Sequence, residues 1–361
     1  MTPSTHVQGL ASPLHHDYQR FLLLGNRRAP HTLHVHESGY RSCTINTDAL
    51  GLRYSHCAGK RFSVAERGAA SRINLLVGGS TALGIGASCD EHTVASHLSM
   101  LTGEVWLSLA GCGLNASQEL LLFLTHQHRF GEVGHVVLLS GLNTLAHEAL
   151  GEVLAGPYDP QQAKAHQAYL NSFNEGMPPA GPARHESLWQ RLGQALAPRR
   201  NDPAPNWSLS APEKRLARAA DSIARTLRQW ERMLADSHAT LTFILQPLLP
   251  WCRETLPAGE LAMLAALEQQ PGNFDRLLDG AFDSKLHMAF FRRIKSQADP
   301  VPCYDMNSML SSSPVFGADL FVDRLHLNDL GNNALAKVIT AKLGLAQERH
   351  GQRKVTPIKL V

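Results

Sequence analysis

The sequence predicts an α/β protein with three layers, α/β/α, around a central parallel sheet, plus an N-terminal β-rich extension and a mid-chain insertion. Three observations predict it. Short apolar runs at 73–77, 105–109, 135–140 and 241–246 suit strands buried on both faces. The first three runs are each followed by a stretch with helical spacing, near 92–101, 117–125 and 144–150. The same runs end in small-residue turns, at Gly78-Gly79, at Gly111-Cys112-Gly113 and at Gly141. Strands that alternate with helices are joined by crossovers, and crossovers make neighbouring strands parallel.

Residues 1–70 read as a β-rich extension, with a β-like piece at 32–36 and turns at Gly39 and Gly51. The α/β domain is placed at 71–345. Its alternation breaks at 156–210, where Pro, Gly and Asn accumulate and only 187–196 has helical character. That stretch is expected to lie over the surface of the sheet domain as an insertion. A long helix follows at 211–235, with Pro212 near its start, where the missing N–H is harmless. Leu216, Ala220, Ile223, Leu227, Trp230 and Leu234 recur at four- and three-residue steps, the stripe of a crossover helix that covers the sheet. Beyond the run at 241–246, Pro247-Leu248-Leu249-Pro250-Trp251 leads out of a strand end. Helices are expected at 259–269 and 282–296, a short strand at 302–306, and an extended piece at 319–322. A loop and a last helix at 328–343 follow, and 346–361 form a tail.

Bulk composition narrows the function. The 361 residues are 43% hydrophobic and 18% charged, as in a soluble globular protein. Thirty-four Lys and Arg against 31 Asp and Glu leave +3, too balanced for nucleic-acid binding by bulk charge. The pairs Arg199-Arg200 and Arg292-Arg293 read as solvated faces. No apolar run is long enough to span a bilayer, and the N-terminus lacks the pattern of a signal peptide, so a cytoplasmic protein is expected. The six cysteines form no CxxC pair, which argues against zinc and for reduced thiols. No metal or organic cofactor is implied.

The first Gly-rich turn carries a serine, in Val77-Gly78-Gly79-Ser80-Thr81-Ala82-Leu83-Gly84. A serine hydroxyl reacts only when a base takes its proton and donors receive the charge that develops on the carbonyl oxygen. The turn lacks the Lys-Ser/Thr ending of a phosphate loop and does not match the dinucleotide fingerprint. The candidate base is His326, with Asp323 three residues before it to fix its tautomer. Candidate oxyanion donors are Gly113, Asn143 and the Ser80 N–H. Each alone also reads as ordinary turn or capping chemistry. Asp329 reads as a helix cap, and His287 as a residue of a helix face.

In order and spacing, 70–345 resembles the SGNH (GDSL-type) hydrolases. Gly78-Gly79-Ser80-Thr81-Ala82-Leu83-Gly84 matches the first block of that family, Gly113 the second, Gly141-Leu142-Asn143 the third and Asp323-Arg324-Leu325-His326 the last. The resemblance implies a flavodoxin-like fold, a Ser80–His326–Asp323 triad and an oxyanion hole of the Ser80 N–H, Gly113 and Asn143. It also implies cleavage of an acyl ester, such as an O-acetyl group, on a small molecule, a carbohydrate or a secondary metabolite. Two positions depart from the pattern: Gly79 stands where the family has Asp, and Thr144 replaces the Asp after the third-block Asn. Acyl transfer through the same acyl-enzyme is an alternative, and a non-catalytic binding module on the same fold is another. Neither nucleic acid nor a membrane is expected as a partner.

Overall fold

The computed structural model describes residues 17–18, 20–22, 24, 27–28, 34–68, 70–153, 209–269 and 278–345. The expected helix at 187–196, nearly all of the expected insertion, and the tail at 346–361 lie outside them. Ahead of the main sheet come two antiparallel two-stranded ribbons: β1 (Arg27–Arg28) with β2 (His34–Val35), and β3 (Ser55–Cys57) with β4 (Lys60–Phe62).

The central sheet is built from β5 (Arg72–Gly78), β6 (Trp106–Ala110), β7 (Glu132–Ser140), β8 (Thr240–Leu245) and β9 (Cys303–Asp305). All neighbours are parallel, in the order β6-β5-β7-β8-β9. Counted within this sheet, that is the 2-1-3-4-5 order of a flavodoxin-like fold, whose ligands bind beyond the strand carboxyl ends where the order reverses. The sheet is dry on both faces because successive strand residues feed two cores. Leu75, Val77, Leu107, Leu109, Val136, Leu138, Phe243 and Leu245 point to one, and Leu76, Trp106, Val137, Leu139 and Ile244 to the other.

The helices are α1 (Ser80–Leu83), α2 (Val94–Thr102), α3 (Ala116–His126), α4 (Leu142–Val153) and α5 (Pro212–Leu234). They continue with α6 (Leu249–Cys252), α7 (Ala258–Gln269), α8 (Ser284–Ala298), α9 (Met306–Met309) and α10 (Asp329–Lys342). Residues of α3, α4, α5 and α8 pack into the first core, and residues of α2 and α10 into the second, which makes the three layers. All six stripe residues expected on the crossover helix are buried in α5.

The sequence expectation and the structure differ in a few places. The piece at 319–322 makes one isolated antiparallel bridge, Phe321 with Leu327, which closes a tight loop. Asp329 does not cap α10. Asn328 does, accepting the Gly331 N–H at 2.9 Å, while the Asp329 carboxylate takes the Ser88 N–H at 2.7 Å and the Ser88 hydroxyl at 2.5 Å. Arg293 is not merely solvated, because its guanidinium meets the Asp221 carboxylate of α5 at 2.6 and 2.9 Å.

Candidate active site

The sheet register brings three turns together. Gly78 at the end of β5 pairs with Ala110 of β6 on one side and Leu139 of β7 on the other. The segments that follow hold Ser80, Gly113 and Asn143, so all three emerge at one edge, on both sides of the reversal point. Gly78 must be glycine: its φ is +157°, and a Cβ there would overlap the Leu139 carbonyl oxygen.

Ser80 is the first residue of α1 and is 4% exposed. Its Oγ lies 2.7 Å from His326 Nε2, and His326 Nδ1 lies 2.6 Å from Asp323 Oδ2. The carboxylate partner fixes the proton on Nδ1, so Nε2 accepts the Ser80 hydroxyl proton. The other carboxylate oxygen, Asp323 Oδ1, accepts the Leu325 and His326 backbone N–H groups at 2.7 and 2.8 Å. Burial works to raise the Asp323 pKa. The charge and hydrogen bond of His326, with these two N–H groups, outweigh it and hold the carboxyl below the usual carboxylate range.

The loop that carries Asp323 and His326 is tied down at several points. The Val322 N–H donates to the His326 carbonyl at 2.9 Å, and the Asn328 N–H to the Leu320 carbonyl at 2.9 Å. Buried Glu260 of α7 accepts the Leu320 and Phe321 N–H groups at 2.7 and 3.1 Å and lies 3.2 Å from Arg253. The Leu249 N–H holds the Arg324 carbonyl at 2.9 Å. Thr81, next to Ser80, donates to the Leu325 carbonyl at 3.3 Å and accepts from Gln246 Nε2 at 3.0 Å. One threonine thereby links the serine turn, the end of β8 and the histidine loop.

Asn143 lies in the first turn of α4 and is 5% exposed. Its Nδ2 donates one N–H to the Leu114 carbonyl at 3.0 Å, which leaves the second for another acceptor. Gly79 lies directly against it: a Cβ at Gly79 would fall well inside contact distance of Asn143 Nδ2. Thr144, the other departure from the family pattern, accepts the Ala116 N–H of α3 at 3.0 Å. Gly113 sits in the left-handed region at φ +75°.

Several polar residues around the site escaped the sequence reading. The buried Arg53 guanidinium donates to the Leu83 and Gly84 carbonyls at the end of α1, at 3.2 and 2.8 Å, and pairs with Asp90 at 2.7 Å. Buried Glu119 of α3 accepts the Ser140 hydroxyl at 2.6 Å. Burial pushes its carboxyl up to about 8, against the pull of that hydrogen bond. His287, read as part of a helix face, is on α8 with its Nε2 2.8 Å from Asp305 Oδ2, and its ring stacks on Trp251. Only Glu119 had a signal in the sequence, an acidic residue within an apolar helix.

Serine, imidazole and carboxylate in this order can pass a proton from hydroxyl to ring, with the resulting imidazolium held by the carboxylate. Among the described residues no group of His, Cys, Asp and Glu could hold a metal ion, and no helix is long and apolar enough to cross a membrane. All six cysteines are free.

No protein-family model matches the chain, and no curated protein matches it. Among solved structures, the chain is similar to a lipase from goat rumen metagenome, with 12% identity, covering 76% of this chain and 98% of that one, at a TM-score of 0.40. It is similar to a member of the lipolytic protein G-D-S-L family from Veillonella parvula DSM 2008, with 11% identity, 75% and 97% coverage and a TM-score of 0.40. A lipase/acylhydrolase from Enterococcus faecalis is a third, with 12% identity, 78% and 100% coverage and a TM-score of 0.33.

Proposed function

We propose that this chain is a serine ester hydrolase of the SGNH type, acting through a Ser80 acyl-enzyme. The observation that carries the reading is the continuous relay of Ser80 Oγ, His326 and Asp323, at 2.7 and 2.6 Å, between groups 246 and 3 residues apart in sequence. A surface Asp–His pair would not be expected to meet a buried serine hydroxyl at the carboxyl edge of a parallel sheet.

In this reading His326 Nε2 takes the Ser80 proton as Oγ attacks the ester carbonyl. Asp323 holds the imidazolium in place. The Ser80 and Gly113 N–H groups and the remaining Asn143 N–H receive the oxyanion. As the tetrahedral species collapses, His326 returns the proton to the leaving alcohol. Water, with its proton taken by the same ring, then releases the acid. The substrate is an acyl ester of a small molecule or carbohydrate, with an O-acetyl group among the candidates, and no metal or organic cofactor takes part.

Labelling with a fluorophosphonate and hydrolysis of short p-nitrophenyl esters test this. The wild type is expected to be labelled at Ser80 and to turn over the esters, and Ser80→Ala to do neither. Equal rates for the two proteins, with no label on Ser80, would sink the reading. Product analysis with added alcohols separates hydrolysis from acyl transfer: free acid alone supports the hydrolase.

A further inference from the structure

The loop after β6 holds Gly113, and two histidines from distant parts of the chain grip it. His36, buried just after β2, accepts the Cys112 N–H on its Nε2 at 3.0 Å. His147, one turn beyond Asn143 on α4, has its Nε2 3.1 Å from the Gly113 carbonyl oxygen. Its Nδ1 is 3.2 Å from Asn115 Nδ2.

The protonation of His147 follows from its neighbours. Asn115 caps α3, and its Oδ1 accepts the Gln118 N–H at 3.0 Å, which turns the NH2 side of the amide toward His147. That NH2 can only donate, so His147 Nδ1 accepts and the ring proton is on Nε2. Nε2–H therefore donates to the Gly113 carbonyl.

We propose that His147 is a positioning residue for the oxyanion donor at Gly113. It rests on the reading of Gly113 as an oxyanion donor for Ser80. Gly113 has no Cβ to restrain it and sits at φ +75°, so its two flanking peptides are free to rotate unless something holds them. His36 fixes the peptide before Cys112, and His147 fixes the one after Gly113. The Cys112–Gly113 peptide, which carries the Gly113 N–H, lies between these two held peptides, so its freedom to turn is limited from both sides. The same α4 turn carries Asn143, so both downstream donors are set by one helix: Asn143 directly, and Gly113 through His147. An oxyanion donor works only when it is already aimed at the developing charge, and an error of about 1 Å in such a group can cost about a hundredfold in rate.

The test is the rate of fluorophosphonate labelling at Ser80, resolved into the maximal inactivation rate and the half-saturating concentration. It is run on wild type, Ser80→Ala, His147→Leu and His147→Gln, with thermal unfolding of each. Gln places an N–H donor where His147 Nε2 stands, and Leu removes it. Expected is a fall of about tenfold or more in the maximal rate for His147→Leu, at unchanged half-saturation and melting temperature. Recovery to within about threefold is expected for His147→Gln. A purely structural histidine would not be rescued by Gln in this parameter alone. His147→Leu labelled as fast as wild type, or His147→Gln as slow as His147→Leu, overturns the proposal and leaves the Ser80 reading intact. A wild type that is no better labelled than Ser80→Ala overturns both. If His147→Leu does not fold, His147→Asn, whose amide is too short to reach the Gly113 carbonyl, takes its place with the same expected fall.

Discussion

Gly79 and Asn143 are packed together: the Asn143 carboxamide occupies the space that a Cβ at position 79 would need. The glycine has φ −84°, an ordinary value, so its role is close approach and not backbone freedom. The departure from the family's Asp at this position thus has a local reason. The Asn143 carboxamide lies against the Ser80 turn and is held there by the Leu114 carbonyl. Gly79→Ala is expected to push Asn143 off its position and lower kcat by about a hundredfold, the usual cost of losing one oxyanion donor. Ester kinetics check it, with fluorophosphonate labelling retained at a lower rate. Activity within twofold of wild type would show that Asn143 is not needed where it stands.

Asp323→Asn keeps the shape of the relay but not its charge. An amide can turn its NH2 toward His326 Nδ1, which would move the ring proton to Nε2 and leave Ser80 without an acceptor. The expected fall in kcat is about 10⁴-fold, with folding retained. Steady-state kinetics beside a thermal melt check it, and a loss below tenfold would argue that Asp323 does not set the tautomer.

The buried His36 gives the fold an acid limit. Burial lowers its pKa from 6.5 to about 4. Between these values the unfolded chain binds a proton at His36 and the native protein does not, so stability falls as pH drops through the window. The loss from this one group reaches about 3 kcal/mol at pH 4. Urea unfolding at pH 7 and pH 5 is expected to show the decline. His36→Gln, which can still accept the Cys112 N–H, is expected to flatten it.

Glu119 acts with the opposite sign. Its carboxyl is raised to about 8 by burial, so the native protein keeps a proton that the unfolded chain loses above its ordinary value of 4.5. Stability from this group is complete below that value and falls as pH rises toward 8. With His36 already neutral above 6.5, Glu119 is expected to make the wild type less stable at pH 8 than at 6.5, by about 2 kcal/mol. Glu119→Gln keeps an acceptor for the Ser140 hydroxyl and is expected to abolish this alkaline decline. An unchanged slope would show that Glu119 is ionised in the native protein.

Thr144 is a strut between two turns: its hydroxyl accepts the Ala116 N–H at 3.0 Å. Thr144→Val would leave the Ala116 N–H, buried at the start of α3, without its acceptor. The expected destabilisation is about 1–3 kcal/mol by chemical denaturation. Thr144→Ser, which keeps the hydroxyl, is expected to stay close to wild type.

Strand and helix positions in the sheet domain were legible in the sequence because burial on both faces writes a simple pattern. Apolar runs mark the strands, and the stripe from Leu216 to Leu234 marks α5. The order of the four motif blocks was legible too, since turn glycines and short polar residues stand out at strand ends. That alone placed Ser80, Gly113, Asn143, Asp323 and His326 as candidates. Their meeting was decided by the tertiary structure: the β6-β5-β7 register gathers Ser80, Gly113 and Asn143, and the Phe321–Leu327 bridge with the ties to Glu260, Leu249 and Thr81 sets His326 within 2.7 Å of a serine 246 residues away. The supports of the site belong to that level as well. Arg53, His36 and His147 look like any other polar residues along the chain, because a hydrogen bond between distant segments leaves no periodic trace. Why position 79 is glycine was likewise hidden, since its reason is a contact with a residue 64 positions away.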